Sequence, residues 1–214
     1  MNEDDEDFAI TVVTFARAPL CVMSKMKYLL YFNVVGNNLM IYFLVVRNKP
    51  LNSSNLFTFC NAARFDIVNR CSYTVWPAAI PRGGGVRLDP GQTWGLDVPA
   101  GTASGRVWGR TGCRFDSSGR GTCQTGDCGG VRGCTLSGQP PTTLAEFTLN
   151  GGFNLDYINL SVIDGFNVPM QFSGCNKVLN CRDSSCPDAY HTPGENQKFA
   201  SCPGGTNYRI VFCP

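Results

Sequence analysis

Charge, histidine and helical periodicity are what this sequence has least of. Only 16% of its 214 residues are charged and the formal net charge is +2, so no global field draws it to nucleic acid. Its single histidine, His191, argues against the mixed cysteine–histidine zinc sites. Two glycine clusters, Gly83-Gly84-Gly85 and the stretch GRGTCQTGDCGGVRGC at residues 119–134, lack the lysine and the following helix that a phosphate-cradling loop requires. Both read instead as tight turns that need positive φ. From Ala63 onward, no 3.6-residue apolar periodicity sustains a helix of more than about two turns.

Cysteine, glycine and proline are abundant: 12, 24 and 13 residues. Ten cysteines lie between Cys71 and Cys213, at spacings such as C-x9-C, C-x4-C and C-x5-C rather than the short C-x2-4-C pairs of zinc sites. An even set in a turn-rich segment points to a disulfide framework and an oxidising compartment. No metal and no cofactor is expected. Which cysteine joins which is open at this point, because ten allow many pairings.

Residues 1–62 differ from the rest. An acidic run at residues 3–7 reads as a solvated tail. Lys25 and Lys27 precede YLLYFNVVGNNLMIYFLVV, an apolar stretch broken by Gly36, Asn37 and Asn38. It is long enough to span a bilayer, but the break weakens that reading. Small residues at Cys60 and Ala62 form a cleavage pattern before Ala63. We read 1–62 as an atypical targeting segment, absent from the mature protein; a membrane anchor is the alternative. Removal also takes away Cys21 and Cys60 and leaves the even ten.

From Ala63 the pattern turns to strands. ARFDIVNRC, QTWGLDV, RVWGR, LAEFTL and DYINLSVI are short alternating runs, each bounded by Gly, Pro, Asn or Asp. That spacing predicts an all-β sandwich or barrel. Most of the aromatics, Trp76, Trp94 and Trp108 among them, are expected in its core.

The stretch GRGTCQTGDCGGVRGC resembles the motif of the thaumatin-like family, which includes thaumatin and osmotin. FDIVNRCSYTVWPAA, GGGVRLDPGQTW, RVWGRTGC, PPTTLAEFTL, DGFNVPM, CPDAY and CPGGTNYRIVFCP extend the likeness over 63–214. The resemblance implies a flattened, disulfide-rich β-sandwich of about eleven strands and a secreted plant defence protein. It also implies the pairs Cys71–Cys213, Cys113–Cys123, Cys128–Cys134, Cys175–Cys202 and Cys181–Cys186. Long members insert a second cysteine-rich domain between the last two of these positions. Here only RDSS separates them, so this is the small form, and one wall of the family's acidic cleft is missing.

The positions matching that cleft are Arg106, Glu146, Asn159, Asp164 and Asp188, with Asn159 standing where the family has an aspartate. Asn159-Leu160-Ser161 is also a glycosylation sequon, read as unmodified because it lies within a strand; a second at Asn52 falls in the segment expected to be removed. Strand parity sets a condition: Asn159 and Asp164 share a cleft only if the strand bulges or ends between them. His191 is read as an ordinary loop residue.

Three functions compete. The first is a secreted, monomeric antifungal protein of the plant extracellular space, binding fungal cell-wall β-1,3-glucan at the half-cleft, with Tyr157 and Phe166 as aromatic neighbours. The second is a loop-mediated inhibitor of a microbial xylanase or related glycan hydrolase. The third is a weak endo-β-1,3-glucanase with Glu146 as acid and Asp164 as base or nucleophile; a half-open cleft, which neither excludes water nor raises the acid's pKa by burial, argues against it.

Overall fold

The computed structural model describes residues 29–35, 38–44 and 62–214. The chain divides into two units, Met1–Cys60 and Asn61–Pro214. In the first, β1 (Leu29–Val35) and β2 (Asn38–Leu44) pair as an antiparallel hairpin, with Val35 opposite Asn38. No helix among the described residues is long and apolar enough to cross a membrane. The acidic run, the Asn52 sequon, Cys21, and Cys60 of the expected cleavage pattern lie outside the described residues.

Two-residue alternation builds the second unit. In β3 (Ala63–Asn69), Ala63, Phe65 and Ile67 are buried while Arg64 is exposed, as a strand with one face on a core requires. β3, β5 (Thr93–Val98), β11 (Met170–Gly174), β12 (Lys177–Cys181) and β15 (Tyr208–Phe212) form a five-stranded sheet, ordered β12-β11-β15-β3-β5. β4 (Trp76–Ile80), β6 (Gly105–Arg110), β9 (Leu144–Thr148), β10 (Leu155–Ser161) and β13 (Ala189–Tyr190) run β13-β10-β9-β6-β4 in a second sheet. β14 (Ala200–Pro203) completes it by pairing with β10. These two sheets hold eleven strands, the expected number. β7 (Arg114–Phe115) and β8 (Gly121–Thr122) add a small separate hairpin.

Phe65 links the sheets. Its ring lies 4.7 Å from Phe147 on β9, and 5.0 and 6.1 Å from Tyr208 and Phe172 on its own sheet. Aromatic rings at such separations add to the apolar area they bury. The first and last strands of the unit, β3 and β15, lie side by side in parallel. Cys71, two residues past β3, and Cys213, directly after β15, are bridged. The other four bridges also join the pairs the resemblance implied. The Cys71–Cys213 bridge closes 142 residues, worth about 5 kcal/mol on the chain-entropy account.

A second, smaller core sits on the outer side of the six-stranded sheet. Arg106, Trp108 and Arg110 share that face of β6. Trp108 packs against Ala78, Leu144, Cys128 and Cys134, and its Nε1–H donates to the Gly126 carbonyl at 2.9 Å. Arg110 is fully buried beside it. Its guanidinium donates to the carbonyls of Trp76, Val131 and Arg132 at 2.7–3.0 Å and stacks 5.3 Å from the Phe115 ring. Burial lowers its pKa to about 10, with the charge of Asp127 acting the other way. Asp127 in turn accepts N–H bonds from Cys123, Gly129 and Gly130. Gly129 and Gly130 take φ of +86° and +72°, which a side chain would resist. The glycine–cysteine stretch is therefore a loop wrapped around a buried cation. Replacing Arg110 by Met strands three carbonyl acceptors, at about 1 kcal/mol or more each. Guanidinium unfolding with the disulfides intact is expected to show a loss of about 3 kcal/mol or more, against little change for Arg106→Met.

Candidate functional site

Arg106, Glu146 and Asn159 stand side by side across three neighbouring strands. Glu146 on β9 is in register with Arg106 on β6 and with Asn159 on β10. Parity orients them. Val107, Ala145, Ile158 and Leu160 enter the main core, so the residues between them face outward. On this outer face the stapled loop at 111–139 covers Trp108 and Leu144 and reaches the row only at its Arg106 end, through Ser137.

Glu146 is engaged through both oxygens. The Asn159 Nδ2–H donates to its Oε2 at 3.0 Å, and Arg106 Nη2 lies 3.9 Å from its Oε1. Arg106 also donates through Nη1 to the Ser137 hydroxyl at 3.2 Å, while its buried Nε–H has no partner among the described residues. With side chains 28% and 31% exposed, this long ion pair contributes little to stability. The guanidinium keeps donors to spare. The three residues line a half-open pocket of about 230 Å³ together with Ser104, Thr148 and Tyr157. The Tyr157 ring meets Phe199 edge-on at 5.3 Å.

The other two expected residues lie at strand ends. Asp188 directly precedes β13, whose Ala189 pairs with Leu160, so it continues the row one strand past Asn159. Its Oδ2 accepts the Asn180 N–H at 2.9 Å. It lines a separate pocket of about 250 Å³ with Asn180, Arg182 and Asp183, beside the short Cys181–Cys186 loop. Asp164 lies in the turn after β10, which ends at Ser161. Gly165 N–H donates to the Val162 carbonyl there, and the Asp164 carbonyl accepts from Thr142 N–H. The strand thus ends before Asp164, as a shared cleft requires, but the Asp164 side chain does not line the pocket around Glu146. Phe166 packs against the main core. Thr148, two residues along the strand from Glu146, was legible by parity. Ser104 and Ser137 arrive on loops with no sequence signal.

The family model for the thaumatin family matches residues 69–184. The chain belongs to the thaumatin family. It is 64% identical over 155 residues to a thaumatin-like protein of Oryza sativa subsp. japonica, a match covering 72% of this chain and 86% of that one. It is 61% identical over 155 residues to thaumatin-like pathogenesis-related protein 4 of Avena sativa, over 72% of this chain and 89% of the other. A solved thaumatin-like xylanase inhibitor superposes with a TM-score of 0.59 at 39% identity, covering 70% of this chain and 99% of that structure.

His191 belongs to a loop that this small thaumatin domain holds by a carboxylate. Glu195 Oε2 accepts the backbone N–H groups of His191 and Thr192. Lys198 Nζ donates to Glu195 Oε1 at 3.2 Å and to the Ala189 carbonyl at 2.8 Å. These donors, the His191 N–H foremost, pull the Glu195 pKa down to about 2. A depressed carboxylate stabilises the fold above its unfolded pKa of about 4.3 and loses that contribution as pH falls through the folded value. The amide resonances of His191 and Thr192 are accordingly expected to titrate with a midpoint near pH 2 rather than pH 4, an effect Glu195→Gln abolishes.

Proposed function

We propose that this chain is a secreted plant defence protein that binds fungal cell-wall β-1,3-glucan on the outer face of its six-stranded sheet. Arg106, Glu146 and Asn159 form the centre of the surface, and Asp164 and Asp188 extend it at the strand ends. The row itself is the observation that carries this reading. A sugar ring offers hydroxyls that both donate and accept. Glu146 accepts, Arg106 donates with unused N–H groups, and Asn159 does both. The pathogenesis-related names of cereal relatives support the defence role, and five disulfides suit an extracellular setting.

Binding without hydrolysis fits the site better than catalysis. Glycosidases set two carboxyl groups across the scissile bond. The groups facing Glu146 here are an amide and a guanidinium. A second reading, inhibition of a microbial glycan hydrolase, is favoured by the likeness to the xylanase inhibitor.

The oxidised, correctly bridged protein is expected to co-sediment with insoluble β-1,3-glucan. Each of Glu146→Gln and Arg106→Met removes a charged hydrogen-bonding group, worth about 1.5 kcal/mol or roughly tenfold in affinity. Equal sedimentation by the parent and both variants sinks the glucan reading.

A further inference from the structure

The turn between β9 and β10 holds an aromatic ring away from the protein. Residues 149–154 read LNGGFN. Phe153 is 97% exposed, more than any other large apolar side chain among the described residues. It sits at φ +53°, between Gly152 at +135° and Asn154 at +56°. Left-handed backbone is unfavourable for a bulky residue and free of penalty for glycine. Contacts with the rest of the protein do not offset this at a side chain so exposed.

The turn is nevertheless well tied. Asn150 N–H donates to Asp156 Oδ1 at 2.7 Å, and Asp156 Oδ2 accepts the Tyr208 hydroxyl in the core at 2.8 Å. Gly151 N–H donates to the Leu155 carbonyl, Leu155 N–H to that of Gly152, and Gly204 N–H to that of Asn154, at 2.7–3.0 Å. A buried carboxylate and three backbone bonds thus fix the backbone that carries the ring outward. Strained residues persist where the surroundings over-determine them, and they cluster at binding sites.

We propose that Phe153 is an outward-held anchor that inserts into the substrate cleft of a microbial glycan hydrolase. The partner class rests on the inhibitor reading above. A convex ring fills a pocket; it does not enclose a sugar. The tip carries no lysine or arginine, which membrane-surface anchors use beside their apolar groups. A lone aromatic among neutral polar residues has the composition of an interface centre, and preorganisation lowers the ordering lost on binding.

The test measures inhibition of a panel of purified fungal endo-xylanases and endo-β-glucanases by the secreted protein, by Phe153→Gly and by Phe153→Trp. Thermal unfolding and β-1,3-glucan co-sedimentation run beside it. Phe153→Gly is expected to weaken inhibition about 30- to 1,000-fold, the range of an aromatic hot spot, with an unfolding midpoint at or above the parent's. Phe153→Trp retains inhibition, and glucan binding stays unchanged in both. Equal inhibition by the parent and Phe153→Gly overturns the anchor and leaves the inhibitor reading standing. A parent that inhibits no enzyme of the panel overturns both. A lowered midpoint in Phe153→Gly, or a parallel loss of glucan binding, also overturns the anchor, because the ring is then structural or part of the glycan surface.

Discussion

A strand has two faces, and the six-stranded sheet uses both. On β6, β9 and β10 one parity supplies Val107, Ala145, Phe147, Ile158 and Leu160 to the main core. The other parity supplies Arg106, Glu146 and Asn159 to the outside. Burying the first set therefore fixes the second, since a shift of one residue would exchange them. The core beneath thus sets the backbone positions of the polar row, and the loop residue Ser137 adds a hydrogen bond to Arg106.

That outer face is divided unequally. At one end the stapled loop closes over Trp108, Leu144 and Arg110 and makes a second core. The disulfides Cys113–Cys123 and Cys128–Cys134 limit the unfolded loop, while Arg110 holds the folded one by the carbonyls of Val131 and Arg132. The uncovered remainder is where the row lies. The boundary falls within one strand: Arg106 is partly exposed and Trp108, two residues on, is fully buried.

Much of this was legible in the sequence. Alternation in ARFDIVN, LAEFTL and DYINLS marked them as strands, and each is one, because each lays one face on the main core. The disulfide pairing came through family resemblance, since spacing leaves many pairings open. The burial of Arg110 was not legible: it sits in RVWGRTGC as an outward-parity residue, and only the returning loop covers it. Nor was the Phe153 turn, where NGGFN marks a turn without showing that the ring is turned outward. The strand end before Asp164 was readable from Gly165, which takes φ +86° in the following turn. The register of Arg106, Glu146 and Asn159 follows from hydrogen-bond pairing between distant segments, which periodicity within each one cannot supply.

Asn159 is the residue through which fold and function meet. Two carboxylates placed directly opposite on adjacent strands repel each other, and such a pair relieves the repulsion by retaining one proton. That is the starting condition for acid–base chemistry on a glycosidic bond. An amide at the same register removes it. The Nδ2–H donates to Glu146, and the carboxylate becomes a fixed acceptor. Under the glucan-binding proposal, this surface displays acceptors and donors at the spacing of neighbouring strands to a polymer lying across it. Within the glucan-binding proposal the amide at 159 therefore favours binding over turnover, because it gives Glu146 a hydrogen-bond donor where a second carboxylate would repel it.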